Sequence, residues 1–133
     1  MKTKFNFKSQ ICTTREQSER LLALGLKKET ADCALFLNGN NEFEQLSKFG
    51  SWERYADMFP AWSLHRLIET MPKNIAIDGD TAYPLQIQKR SDGKWCVGYQ
   101  GWYDCVGDLY DSVIWIYQLL ISEGYLDEFC NKG

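Results

Sequence analysis

Few side chains in this sequence can do proton or nucleophile chemistry at neutral pH: a single histidine, His65, and five cysteines, Cys12, Cys33, Cys96, Cys105 and Cys130. A histidine beside a cysteine or carboxylate is the minimal set for nucleophilic or general acid–base catalysis. A small hydrolase-like enzyme using His65 with a Cys or a carboxylate is therefore the alternative against which other readings are weighed. His65 falls at the second position of a short helix capped by Ser63, where the positive end of the helix dipole disfavours imidazolium. It lies off the stripe formed by Leu64, Leu67, Ile68 and Met71, with Glu69 one turn on. The expectation is a solvated His–Glu pair and no catalytic residue.

The cysteines are odd in number and dispersed, with no C-x-x-C pair of the kind that binds zinc or forms a redox dithiol. They read as free, mostly inert thiols in a reducing compartment, with no metal and no cofactor. Asp78-Gly79-Asp80 lacks the further ligands of a calcium loop and reads as a turn. Gly98-Tyr99-Gln100-Gly101 matches a bare G-x-x-G but sits at a strand end, without the basic, helix-flanked setting of a nucleic-acid module. Asp104, Asp108 and Asp111 could pair for acid–base work, although capping and dipole compensation already explain Asp108 and Asp111.

Aromatic residues offer a different chemistry, that of interfaces. Trp102 and Tyr103 follow Gly101 in what reads as a loop beyond the apolar face of Trp95, Val97 and Tyr99. Trp52 and Tyr55 lie in an irregular stretch from Glu42 to Phe59. These four are the expected partner-binding residues. The chain has 133 residues, of which 44% are hydrophobic and 14% aromatic, fitting one ordered globular domain, 1–133, with a sizeable core. With 15 basic against 18 acidic residues there is no general attraction for phosphate, so a protein partner is favoured and nucleic acid is not. No stretch has the length and apolarity to cross a bilayer or serve as a signal peptide, and a cytoplasmic location is expected.

The elements that would position these residues follow from capping and periodicity. Thr13 and Glu16 form a capping-box pattern opening a helix to Leu24, which Gly25 ends, with Leu26 packing back on Leu21. Cys33–Leu37 reads as a strand. Ser63 caps the next helix, Trp62 and Leu67 are spaced as a hydrophobic staple, and Pro72 ends it by forcing Met71 out of helical geometry. Alternation then takes over: Ile75 and Ile77, then Tyr83, Leu85 and Ile87, then Trp95, Val97 and Tyr99, with a turn at Ser91-Asp92-Gly93. Asp108 caps the longest helix, which Gly124 ends with Tyr125 packing on Leu120. The expected fold is α+β, an antiparallel meander of three or more strands with about three helices packed on one face.

Several of these segments also carry a likeness. Ile11-Cys12-Thr13-Thr14, Gln17-Ser18, Leu21-Leu22, Leu24-Gly25-Leu26, Thr30-Ala31-Asp32, Pro60-Ala61-Trp62-Ser63-Leu64, Met71-Pro72 and Glu123-Gly124-Tyr125 resemble those of small Bacteroidetes proteins associated with phage or other mobile elements. The likeness covers most of the chain. It implies a bacterial, intracellular setting and carries over no activity, cofactor or catalytic residue. The functional expectation is a non-enzymatic binding protein that engages a protein partner.

Overall fold

Helix α1, Arg15–Ala23, begins in a capping box in which the Thr14 hydroxyl accepts from Gln17 N–H and the Gln17 side chain accepts from Thr14 N–H. This frame is one residue later than the expected Thr13/Glu16 box. Thr13 is committed elsewhere: it is fully buried, its N–H donates to the Trp62 carbonyl at 2.9 Å, and its hydroxyl accepts from Trp62 N–H and meets Ser18 Oγ. At the other end Gly25, at φ +105°, lets Leu26 N–H reach the Leu21 carbonyl and its own N–H reach that of Leu22, the expected Schellman ending.

The computed structural model describes residues 9–37, 43–46, 58–76 and 81–131. Strands β1 (Cys33–Leu37), β2 (Phe43–Leu46) and β3 (Met58–Ala61) form an antiparallel sheet in the order β2-β1-β3. This sheet corrects the expectation of an irregular stretch from Glu42 to Phe59, because both of its ends are strands. Aromatic residues every three or four positions mimic helical periodicity there and hide the two short strands. Trp52, Tyr55 and the Asp78-Gly79-Asp80 turn lie outside the described residues. So does most of Lys4–Cys12, where Phe5, Phe7 and Ile11 at mostly alternating positions read as a first strand or an extended arm, and its last residues, 9–12, are not in a strand.

Helix α2, Leu64–Thr70, is capped as expected by Ser63, whose hydroxyl accepts from Arg66 N–H at 3.1 Å, and Met71 leaves it in extended geometry before Pro72. The joint is tied to the segment before β1. The Asp32 carboxylate accepts from both Ser63 N–H and Ser63 Oγ–H, and Arg66 Nε donates to the Thr30 carbonyl at 2.7 Å. A two-stranded ladder of β4 (Asn74–Ile75) and β5 (Tyr83–Pro84) leads into a three-stranded antiparallel meander. Its strands are β6 (Gln86–Lys89), β7 (Trp95–Tyr99) and β8 (Trp102–Gly107).

Helix α3, Leu109–Ser122, is capped by Asp108 and lies across β7 and β8, while α1 and α2 pack against α3. The expected α+β architecture is therefore present, with a second three-stranded sheet and the two-stranded ladder besides the meander. Leu21, Trp62, Leu67, Val97, Tyr99, Val113, Ile116, Tyr117 and Leu120 fill the main core. A smaller cluster of Cys12, Cys33, Leu35 and Ala61 lies by the first sheet. Buried hydroxyls are satisfied there: Tyr117 donates to the Leu67 carbonyl and Tyr99 to that of Pro72.

Candidate interaction site

The β7–β8 hairpin turns through Gln100 and Gly101, which lie between the facing residues Tyr99 and Trp102, and Gly101 takes φ +97°. Close approach sets the composition of the hairpin. A Cβ on Gly98 would come within 2.0 Å of the Trp102 carbonyl oxygen, so no other residue fits there without moving backbone. Side chains alternate across the sheet. Val97 and Tyr99 point into the core beneath α3, whereas Cys96, Gly98 and the residues facing them, Cys105 and Tyr103, lie on the opposite face. Tyr103 donates to Gln88 Oε1 at 2.9 Å on that outer face.

Two expectations are corrected at this point. Trp102 and Tyr103 do not lie in a loop: they begin a strand, and alternation places them on opposite faces of it. Trp102 is half-buried against the core and meets Tyr125 edge-to-face, at 6.0 Å between centroids and 77° between planes. Tyr103 stays 36% exposed and Tyr125 39%. The cysteines also depart from the expectation of free thiols, since Cys96 and Cys105 form a disulfide between directly opposed residues. A sequence signal for both existed. Cys96 and Cys105 are equidistant from the Gln100-Gly101 turn, so any hairpin closed there sets them face to face.

β8 is the last strand of its sheet, and among the described residues no strand pairs with its outer edge. Cys105 N–H donates to the adjacent Asp104 Oδ1 at 2.7 Å and not across to β7. In an antiparallel ladder such outward-facing positions alternate, so Tyr103 shares this orientation with Cys105. The open edge thus presents backbone groups of Tyr103 and Cys105, with a carboxylate held over one of the donors. Beyond Cys105 a bulge shifts the register, so that Trp95 faces Gly107 while Cys96 faces Cys105.

His65 has a side chain 88% exposed and a Glu69 carboxylate at 3.6 Å, the solvated pair expected of it. Cys12, Cys33 and Cys130 are buried, in contrast to that exposed histidine. Burial, followed by the neighbouring Cys33 and Asp32, pushes the Cys12 thiol up to about 12, and burial followed by Asp32 pushes Cys33 up to about 11. Cys130 is raised as well, chiefly by burial. Such thiols are poor nucleophiles. Asp108 caps α3 by accepting from the N–H of Asp111 in its first turn, both carboxylates receive the Gln17 amide, and Arg20 pairs with Asp111 at 3.1 Å. Among the described residues no group of three or more His, Cys, Asp or Glu could hold a metal ion. Likewise, no helix among them is long and apolar enough to cross a membrane.

A separate cleft of about 230 Å³ opens between α2 and the segments around Glu29 and Phe129. Thr30, Arg66, Glu69 and Thr70 complete its lining. Several of its polar groups are engaged: Arg66 Nη1 with Glu69 at 2.9 Å, and the Thr70 hydroxyl with the Leu67 carbonyl and the Tyr117 hydroxyl. No protein-family model, curated protein or solved structure matches the chain.

Proposed function

We propose that this protein is a non-catalytic interaction domain that binds an extended segment of a protein partner along the outer edge of β8. The observation that carries this reading is the combination at Tyr103: an exposed aromatic ring on a strand whose outer edge no described strand occupies. Strand addition draws its affinity from main-chain hydrogen bonds and its specificity from alternate side chains. Here the alternate positions are Tyr103 and Cys105 on one face and the Trp102–Tyr125 pair on the other. Asp104, exposed at the same edge, favours a partner segment carrying a basic side chain. A cytoplasmic setting and a bacterial mobile-element origin belong to the same proposal. They rest on the resemblance described above and on the charge balance of the chain.

The test is site-specific photo-crosslinking in the native host, with the photoreactive residue at position 103 and, as a control, at the exposed position 94. The expected result is a crosslink from position 103 to one extended segment of one protein, abolished by Asp104→Lys, which reverses the charge at that edge. The His65→Ala variant should crosslink as the parent does. Equal crosslinking from positions 94 and 103, or its loss in His65→Ala, would sink the proposal.

A further inference from the structure

The five cysteines divide into two groups of opposite character. Cys12, Cys33 and Cys130 are buried, with thiols raised by burial, and neither an oxidant nor an external disulfide meets a ready thiolate among them. Cys96 and Cys105 are joined on the face of the meander opposite α3. Within that pair the two residues differ in exposure. Cys96 lies on the central strand and is only 2% exposed, whereas Cys105 lies on the edge strand and is half-buried.

The bond also joins strands that are already held together. The hairpin is closed by the Gln100-Gly101 turn and by a ladder running from Tyr99↔Trp102 to Val97↔Asp104, all on the turn side of the disulfide. Val97 and Tyr99 anchor β7 in the core on the other face, so the pairing of the two strands does not wait on the sulfur bridge. A disulfide that is accessible from one side and joins strands already paired without it can open and close with the fold intact.

We propose that Cys96–Cys105 is a thiol–disulfide exchange site, entered at the Cys105 sulfur by a low-molecular-weight thiol of the glutathione class. The incoming thiolate forms a bond to Cys105 Sγ as the Cys105–Cys96 bond breaks, and the departing electron pair stays on Cys96 Sγ, which takes a proton from water. A second thiol then attacks the external sulfur of the mixed disulfide and frees Cys105. Two external thiols become one external disulfide, two electrons pass to the protein, and both cysteines end as thiols. In a reducing compartment a disulfide of this kind is a reporter or a regulator and not a permanent staple. The proposal is independent of strand addition at β8.

The experiment equilibrates the folded protein in glutathione buffers of stepped ratio, quenches with acid, labels thiols with a mass-tagged maleimide and maps the label by peptide mass spectrometry. The expected result is that Cys96 and Cys105 pass together from unlabelled to fully labelled in one reversible two-electron transition, with the far-UV circular dichroism unchanged. Cys12, Cys33 and Cys130 should label only after urea is added. At intermediate ratios the glutathionyl adduct should map to the Cys105 peptide of the wild-type protein, and it should accumulate in Cys96→Ser. A pair that labels only in urea, a reduction that abolishes the circular dichroism signal, or an adduct mapping to any other cysteine would each overturn the proposal.

Discussion

At Gly98 one hydrogen atom decides whether the meander can form. The Trp102 carbonyl stands where a Cβ would be, at 2.0 Å, and that oxygen belongs to backbone that a rotamer change cannot move. Gly98→Ala is expected to cost about 3 kcal/mol or more, since the hairpin must shift to admit the methyl group. A urea denaturation midpoint compared with that of Gly93→Ala, where nothing stands near the added carbon, would check it. The buried thiols make a second prediction at this scale. An unfolded cysteine ionises near its ordinary 9.0, whereas folded Cys12 and Cys33 hold their protons up to about 12 and about 11. Between those values the unfolded chain has released protons that the folded chain keeps, so raising the pH favours unfolding. Stability is expected to hold below about pH 9 and to fall above it, and Cys12→Ala should flatten that fall when urea midpoints are compared from about pH 8 to about pH 10.

Among the elements, α1 gives the most direct test of register. A capping box on Thr13 would make Glu16 the reciprocal partner, but the box on Thr14 uses Gln17, which is buried and also bonds Gln10 and Asp111. Glu16→Ala is therefore expected to change stability by less than about 0.5 kcal/mol, and Gln17→Ala to cost about 1–2 kcal/mol, as read by denaturant titration of each variant. The sequence Thr13-Thr14-Arg15-Glu16-Gln17 satisfies the motif in both frames. Only the bonds from Thr13 to Trp62, far away in the chain, choose between them, and no local pattern contains that information. Caps and glycine stops were legible because their signals are local: Ser63, Asp108, Gly25 and Gly124 all act within a turn of themselves. The residues proposed to bind a partner are harder to read. Trp102 and Tyr103 stand out as aromatic residues next to a glycine, but their opposite faces require seeing that Gln100-Gly101 is a hairpin turn. The same turn pairs Cys96 with Cys105, a relation that counting cysteines and looking for short spacings does not detect.

On the scale of the molecule, distant segments are fastened to one another near the end of α1. Leu26 bridges Cys130, Lys27 N–H donates to the Phe129 carbonyl at 2.9 Å, and Asn131 N–H donates to the Gly25 carbonyl at 2.7 Å. Leu126, fully buried in the main core, holds the returning segment down. Leu126→Ala is expected to cost about 2–5 kcal/mol by leaving a cavity there. Hydrogen exchange should locate the resulting loss of protection at Leu26 and Lys27 as well as around residue 126. A loss confined to the last residues would mean that the fastening contributes nothing to α1.

That fastening also orders events during synthesis. α1 is made early, but its far end is fixed by residues about a hundred positions later, and its Gln17 and Arg20 await Asp108 and Asp111. While the ribosome is still adding the middle of the chain, the apolar side of α1 has no α3 to pack against. Long-range closure of this kind slows folding and leaves apolar surface uncovered in the meantime. Until the segment around residue 131 has been made, the far end of α1 lacks its fastening, and a nascent chain in that state offers apolar surface to which chaperones can bind.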